Sequence, residues 1–194
     1  MWRSLLFVPG DKPAFLEKAT ARGADALILD LEDGVAAQNK SEARALCAAA
    51  IPELSAVGAE VLVRINDSLR LSVADLEAVV VSGLQAVVLP KAESADYVTR
   101  VSRLLEELEI ERGLREIAII AQIESLRGLA MIDEIAACER VTGLALGTED
   151  LAADAGMAAL PRTLYGPAQQ LVFSASRHDC IAYGFPASIG DYSD

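Results

Sequence analysis

Short apolar runs alternate along the chain with longer segments in which apolar residues recur every three or four positions. Each run ends in polar or charged residues, a pattern typical of a buried parallel strand followed by its crossover helix. The predicted strands are residues 4–8, 26–29, 60–65, 86–89, 117–123, 143–146 and, with a weaker pattern, 185–189. The predicted helices are residues 12–22, 40–54, 73–81, 95–112 and 126–138. The alternation predicts a parallel α/β fold.

Repeated strand-helix units either open into a doubly wound sheet or close into a barrel. The sequence has no G-x-G-x-x-G motif of the open nucleotide-binding form, and we therefore predict a TIM-type (β/α)8 barrel. Such a barrel usually takes about 250 residues, whereas this chain has 194. We expect a single barrel domain over residues 1–194 that lacks its last βα unit, with residues 157–194 as a divergent or incomplete C-terminal part.

Composition agrees with this fold and narrows the possible partners. Hydrophobic residues make up 53% of the chain but aromatic residues only 5%, which predicts an aliphatic core. The formal net charge is -12, which argues against nucleic acid as a partner because phosphate binding needs clustered cations. An acidic metabolite would need a local Arg, Lys or metal ion to overcome the same charge.

The cysteines and the N-terminal segment bear on localisation. Cys47, Cys138 and Cys180 are widely spaced and odd in number, which predicts neither a disulfide framework nor a zinc site. The apolar run before Pro9 is too short for a signal peptide, and no apolar span of 18 residues follows. We expect a cytoplasmic protein that has no membrane partner.

Polar residues cluster where the predicted strands end. In a barrel the carboxyl ends of the strands converge on one face, where barrel enzymes place their active sites. The clusters are Asp30-Leu31-Glu32-Asp33, Arg64-Ile65-Asn66-Asp67, Lys91, Gln122-Ile123-Glu124-Ser125 and Thr148-Glu149-Asp150. The sequence therefore predicts a charged site at this face.

Several converging carboxylates are costly to bury unless each is paired or bound to a cation. The chain has one histidine, His178, so a metal site here would use oxygen ligands, which suit Mg²⁺ or Mn²⁺. Glu124 and Asp150 would suffice for Mg²⁺, which keeps several waters. The alternative is that Asp150 or Ser125 only caps the helix that follows. The spacing alone leaves both interpretations open.

The strand-end cations have two interpretations each. Arg64 ends an apolar strand, where its planar fork can pair with a strand-end acid, bind a substrate carboxylate, or do both in turn. Lys91 could form a Schiff base, but a strand-end lysine more often pairs with an acid or a substrate charge, and a metal site makes an imine unnecessary.

Other polar residues have plainer interpretations. The acids within residues 30–33 are individually typical of a solvated turn. Glu149 is expected either to contact a metal ligand or to face solvent, and not to bind the metal itself. The glycines within residues 143–147 are typical of tight turns, although they would also let backbone approach a ligand. His178 lies in a helix-like stretch, residues 174–183, and is predicted to be a surface histidine.

The strand-end strings, in this order, resemble the HpcH/HpaI aldolase and citrate lyase family, and in particular its citrate lyase β-subunit-like branch. The resemblance covers about residues 1–156. The matching residues are 3–10 (RSLLFVPG), 29–33 (LDLED) with Lys40 and 43–44, 63–66 (VRIN), 89–91 (LPK), 123–125 (IES) and 147–151 (GTEDL).

The resemblance implies a TIM-type barrel with Mg²⁺ held by Glu124 and Asp150. It also implies that Arg64 clamps the carboxylate and keto oxygen of an oxaloacetate-, pyruvate- or glyoxylate-like keto acid. Family members cleave or form the bond between such a keto acid and an acyl thioester of coenzyme A or acyl carrier protein. The implied activity is a magnesium-dependent carbon-carbon lyase acting on a citryl- or malyl-type thioester.

The resemblance assigns further residues. Glu32 and Asp33 are expected to join Arg64 in catalysis. Asp33 stands where the pyruvate-aldolase branch has a histidine, which favours the thioester branch and leaves the general base open. The residues expected to bind substrate besides Arg64 are Arg3, Lys91, Gly147, Thr148 and Glu149.

The apparently missing eighth unit raises alternatives to the lyase. The chain could be a non-catalytic or truncated paralogue that binds Mg²⁺ and a keto acid, or a related metal-dependent aldolase or thioesterase. An incomplete barrel also favours a homo-oligomer over a monomer.

Overall fold

The computed structural model describes residues 2–184. Their contacts divide this part of the chain into two compact units, residues 2–88 with 103–118 and residues 89–102 with 119–184. Both units are built from parallel strands and helices. The parallel α/β class predicted from the sequence is therefore confirmed.

The first unit contains four parallel strands in chain order, β1-β2-β3-β4. Their pairing sets Asp30, the last residue of β2, beside Pro9 of β1 and Arg64 of β3. This register places an acid and a cation side by side on neighbouring strands. The strands are β1 (Leu5–Pro9), β2 (Ala26–Asp30), β3 (Glu60–Arg64) and β4 (Leu84–Leu89).

Helices follow each of these strands. Residues 12–22 were expected to form one helix, but α1 ends after one turn and a separate 3-10 helix, Thr20–Arg22, follows. Gly23 then ends that segment at a φ of 73°, a conformation that glycine adopts without strain. The helices are α1 (Pro13–Leu16), α2 (Lys40–Ala56), α3 (Leu69–Val79) and α4 (Ala95–Arg112), with a second 3-10 helix at Ala37–Asn39.

The second unit continues the same pattern with three parallel strands in the order β5-β6-β7. The strands are β5 (Ala118–Ile123), β6 (Val141–Leu146) and β7 (Ile181–Tyr183). The helices are α5 (Leu126–Ala130), α6 (Ile132–Ala136), α7 (Thr148–Asp154) and α8 (Pro161–Arg177). The helix predicted over residues 126–138 is thus two short helices that meet at Met131, whose φ and ψ of -100° and 10° leave the helical region.

Six of the predicted strands are confirmed with ends that shift by two residues at most. The seventh, residues 185–189, lies outside the described residues. The helix-like interpretation of residues 174–183 is wrong in its second half, because α8 ends at Arg177 and β7 begins at Ile181. Asp179 makes the turn between them with a φ of 56°.

Residues 161–177, in the part expected to be divergent or incomplete, form α8 although they contain Gly166 and Pro167. Pro161 occupies the first helical position, where a missing N–H costs nothing. The Thr163 hydroxyl also accepts from the Leu160 N–H at 3.1 Å. These start signals outweigh the single hydrogen bond that Pro167 cannot donate.

The interior is aliphatic, as the composition predicts, and its fully buried side chains are mostly leucine and isoleucine. No helix within residues 2–184 combines the length and the apolar character that a membrane span requires. The expectation of a single domain over residues 1–194 stays a prediction.

Candidate functional site

In the first unit, the end of β2 and the end of β3 form a bidentate ion pair. Arg64 Nε donates to Asp30 Oδ1 at 2.8 Å, and Arg64 Nη2 donates to Asp30 Oδ2 at 2.7 Å. The Asp30 oxygens also accept from the backbone N–H groups of Glu32 and Gly34 at 2.9 and 2.8 Å. The carboxylate is therefore fixed by four donors and in turn fixes the plane of the guanidinium.

Burial and pairing act in opposite directions on these two groups. Burial alone would raise the pKa of Asp30, but the hydrogen bonds and charge of Arg64 hold that pKa below its ordinary value. Burial alone would lower the pKa of Arg64, but Asp30 and then Glu32 raise it. Both groups stay ionised, and the Phe7 ring lies 4.9 Å from the guanidinium carbon, within cation-π distance.

Arg64 retains donors beyond the pair with Asp30. A guanidinium has five N–H donors, of which two contact Asp30, while Nη1 lies 3.2 Å from Glu32 Oε2. Glu32 is buried and Asp33, the next residue, is exposed. The solvated-turn interpretation of the acidic triplet is thus wrong for Asp30 and Glu32, because their charges are paired below the surface.

The loop after β2 is held by two further side chains. Lys40 Nζ donates to the carbonyl oxygens of Leu31 and Glu32, each at 2.6 Å. Asn66 Nδ2 donates to the same Leu31 oxygen at 2.9 Å. The backbone that carries Glu32 is therefore fixed on two sides.

Asp75 completes this network and was not singled out from the sequence. It is fully buried, accepts from the backbone N–H and the Nδ2 of Asn66 at 2.7 Å each, and pairs with Arg44 Nε at 2.6 Å. Asp75 lies in the middle of α3 among the buried residues of that helix. An acid on the apolar face of a helix is the signal that could have identified it.

In the second unit, Glu124 follows the last residue of β5 and is only 3% exposed. Its Oε1 accepts from the backbone N–H of Lys91 at 2.7 Å, and its Oε2 accepts from Gln122 Nε2 at 2.6 Å. Lys91 adopts a φ of 47°, which is uncommon for a residue with a side chain. The chain bends there so that an amide N–H points at the carboxylate.

Gly147 lies against the same carboxylate. A Cβ at this position would be 2.5 Å from Glu124 Oε2 and 2.6 Å from Glu124 Cβ, closer than real carbon atoms approach. The backbone N–H of Gly147 donates to the carbonyl of Ile123 at 2.9 Å. The glycine between β6 and α7 is therefore required for Glu124 to keep its position. The sequence analysis had interpreted this glycine only as part of a tight turn and did not predict the contact with Glu124.

The first turn of α7 brings three predicted site residues close to Gly147. Thr148 is 4% exposed, and its hydroxyl has no hydrogen-bond partner among the described residues. Glu149 and Asp150 are exposed. Gly147 is the N-cap of α7, so Asp150 is not a cap, whereas Ser125 does cap α5 by accepting from the Gly128 N–H at 3.0 Å.

The residues of this unit fit a magnesium ion. Mg²⁺ commonly takes one or two carboxylates and completes its shell with water, and a buried carboxylate held by amide groups is a suitable ligand. Gln122 Oε1 and Thr148 Oγ1, both buried, lack hydrogen-bond partners among residues 2–184, as expected beside a site for a polar ligand. Within the same residues no cluster of three or more His, Cys, Asp or Glu could hold a metal, so the fit depends on two carboxylates.

Some predicted residues lie elsewhere in their units. Arg3 precedes β1, is 86% exposed and contacts Asp25, the residue before β2, so it lies at the amino ends of the strands and not near Arg64. The position of Arg3 at the amino ends of the strands does not support its predicted role in substrate binding. The His178 side chain is 26% exposed, with Nε2 buried and 3.7 Å from Asp133, so the prediction of a surface histidine is confirmed only in part.

Comparisons with known proteins agree with the residue pattern. The family model described as HpcH/HpaI aldolase/citrate lyase matches residues 3–184. Citrate lyase subunit beta of Leuconostoc mesenteroides is 35% identical over 112 residues, which are 57% of this chain and 37% of the relative. A (3S)-malyl-CoA thioesterase of Cereibacter sphaeroides is 36% identical over 110 residues, 56% of this chain and 39% of the relative.

A solved structure gives wider coverage. The Mycobacterium tuberculosis citrate lyase beta subunit, complexed with oxaloacetate and magnesium, aligns with a TM-score of 0.75 and 32% identity over 92% of this chain and 75% of that one. By sequence, the chain spans well under half the length of the curated relatives it matches.

Proposed function

The chain belongs to the HpcH/HpaI aldolase/citrate lyase family, and we propose that it carries the chemistry of a magnesium-dependent carbon-carbon lyase. The proposed substrate is a citryl- or malyl-type thioester of coenzyme A or acyl carrier protein. The proposed products are a keto acid such as oxaloacetate, pyruvate or glyoxylate and a shorter acyl thioester.

This proposal rests on one observation, the buried and hydrogen-bonded position of Glu124 in the second unit. Its carboxylate is 3% exposed and held by two amide N–H groups, and Gly147 leaves the space it occupies. A buried carboxylate fixed in one orientation is a suitable ligand for a divalent cation. Magnesium in the Mycobacterium tuberculosis relative supports a cation as that ligand.

Each cluster has a proposed role. Glu124 and Asp150 hold the cation, which when bound polarises the carbonyl oxygen of the keto-acid fragment. Arg64, oriented by Asp30, uses its remaining N–H donors to bind the carboxylate of that fragment. Gly147 and Thr148 contribute backbone and hydroxyl groups to substrate binding.

Cleavage needs one proton transfer at the start. A carboxylate at the end of β2, Glu32 or Asp33, takes the proton from the substrate hydroxyl as the carbon-carbon bond breaks. The hydroxyl carbon becomes the keto group, the bonding electrons form the enolate of the acyl thioester, and the enolate carbon takes up the proton that the carboxylic acid now holds. Lys91, Glu149 and Arg3 stay predictions for substrate binding, with Lys91 and Glu149 the better supported by position.

The test is incubation with citryl-CoA, (3S)-malyl-CoA and citramalyl-CoA, with and without Mg²⁺. A lyase releases keto acid and no free thiol. Keto acid that forms only with Mg²⁺, and not with the Glu124→Ala variant, is the expected result. No keto acid from any thioester would contradict the proposal.

A thioesterase is the second candidate, because the Cereibacter sphaeroides relative has that activity in its name. A thioesterase would release free CoA thiol from the same substrates without keto acid. Binding of oxaloacetate with Mg²⁺ and no turnover would instead indicate a non-catalytic paralogue.

We also propose that the complete fold is a closed (β/α)8 barrel. Parallel strands in chain order within both units support it. The homo-oligomer and the cytoplasmic location stay predictions, and light scattering after size-exclusion chromatography would measure the oligomeric state.

A further inference from the structure

We propose that Gln122 positions Glu124 for cation binding and that its side-chain oxygen accepts a hydrogen bond from a hydration water of the bound cation. This inference rests on the proposed function, in which Glu124 is a metal ligand. Gln122 would then be a positioning residue, since it acts through Glu124 and through water.

Gln122 and Glu124 lie on the same face of the chain. They are two residues apart at the end of β5, where side chains alternate between faces. Gln122 is 8% exposed, and its Nε2 donates to Glu124 Oε2 at 2.6 Å. Because the Lys91 N–H holds the other oxygen of Glu124 at 2.7 Å, the plane of the carboxylate is set from both sides.

The hydrogen bond to Glu124 also fixes which way the amide of Gln122 points. A flipped amide would set Oε1 against the carboxylate oxygen, and two acceptors would face each other. In the orientation that avoids this, Oε1 is buried and has no hydrogen-bond partner among residues 2–184. A buried acceptor without a donor costs stability, so a polar ligand is expected to satisfy it.

A second buried oxygen lies close in sequence to the same carboxylate. Thr148 Oγ1 also lacks a partner within the described chain. Thr148 follows Gly147, whose ideal Cβ position is 3.1 Å from Gln122 Nε2 and 2.5 Å from Glu124 Oε2. Two unsatisfied oxygens next to one buried carboxylate indicate a place for ordered water. Mg²⁺ and Mn²⁺ bring such water because they keep part of their hydration shell.

The experiment compares Gln122→Met with the wild type and with Gln85→Met, a matched change on β4. Methionine keeps the length of glutamine but donates and accepts no comparable hydrogen bond. Mn²⁺ affinity is measured by electron paramagnetic resonance, and the melting temperature of the metal-free protein is measured in parallel. We expect Gln122→Met to bind Mn²⁺ about 10- to 100-fold more weakly, with a slightly lower metal-free melting temperature because Glu124 loses the Nε2 donor, and we expect Gln85→Met to bind Mn²⁺ as the wild type does.

Unchanged Mn²⁺ affinity in Gln122→Met would overturn the inference. An equal loss of Mn²⁺ affinity in Gln85→Met would also overturn it, since that is the result of a general structural change. If Gln122→Met does not fold, Gln122→Leu is tested by the same two criteria. A Glu124→Gln variant separates the two proposals: full Mn²⁺ affinity there contradicts the proposed function, whereas loss there with retention in Gln122→Met contradicts only the role of Gln122.

Discussion

The two units hold a buried strand-end carboxylate in different ways. In the first, Asp30 accepts two hydrogen bonds from the guanidinium of Arg64. In the second, Glu124 accepts from the Lys91 backbone and the Gln122 amide. The guanidinium both orients Asp30 and pairs with its charge, and the donors to Glu124 fix the orientation of its two oxygens. We infer that Asp30 serves to organise Arg64, and that Glu124 is prepared to receive a cation.

Removal of Asp30 should have the largest effect on stability. Asp30→Ala leaves Arg64 buried beside Glu32 alone, and breaking a buried ion pair by removing one partner costs about 3–5 kcal/mol. Urea unfolding measures this loss. Asp25→Ala is the matched control at the amino end of the same strand, where the partner Arg3 is 86% exposed, and it should cost much less. Equal losses of unfolding free energy in Asp30→Ala and Asp25→Ala would contradict the view that the buried ion pair contributes more than the exposed one.

A side chain at Gly147 should disturb the second unit and not the first. Gly147→Ala places a methyl group 2.5 Å from Glu124 Oε2, and overpacking of this kind costs about 1–3 kcal/mol. We expect lower Mg²⁺ affinity in calorimetry as well, because Glu124 must move. Gly166→Ala, whose added Cβ meets nothing within 4 Å, is the control. Wild-type stability and affinity in Gly147→Ala would show that Glu124 does not depend on this glycine.

Replacement of Arg64 by lysine keeps the charge but removes the fork. The bidentate contact with Asp30 and the donors proposed for the keto-acid carboxylate are both lost. Oxaloacetate should bind about tenfold more weakly in the presence of Mg²⁺, a change of about 1.4 kcal/mol. Wild-type affinity in a calorimetric titration would remove Arg64 from the proposed substrate role.

The ion pair also predicts a dependence of stability on pH. The pKa of Asp30 is lowered in the folded protein, so its contribution is complete above its unfolded pKa of about 3.9 and is lost as the pH falls through the lower, folded value. The stability difference between wild type and Asp30→Ala should therefore shrink below about pH 3.9. A difference that stays constant from pH 6 to pH 3 in urea unfolding would contradict this assignment.

The strands that position the site were predictable from the sequence, because a buried parallel strand consists of one short run of apolar residues. Five of the six confirmed runs end at the polar clusters that include Arg64 and Glu124. The short strand Ile181–Tyr183 was missed, since three residues after a helix give no period to detect. Its position is set by pairing with β6 and not by its own sequence.

The supporting residues were harder to predict, because their environments depend on other segments of the chain. From the sequence alone, Asp30 and Glu32 were interpreted as part of a solvated turn. Only the register of β2 and β3 shows that Arg64 lies beside them. Asp75 is hidden in the middle of a helix, and its partners Asn66 and Arg44 come from two other elements. The requirement for glycine at position 147 follows only from the position of Glu124.

The most direct test of the account is a calorimetric titration of oxaloacetate, with and without Mg²⁺, into the wild type and Glu124→Ala. We predict that the wild type binds oxaloacetate only weakly without Mg²⁺ and much more tightly with it, and that Glu124→Ala loses the effect of Mg²⁺. Glu134→Ala, an exposed acid on α6, should behave as the wild type. If Mg²⁺ tightens oxaloacetate binding to Glu124→Ala as much as to the wild type, the central claim that this buried carboxylate holds the cation is contradicted.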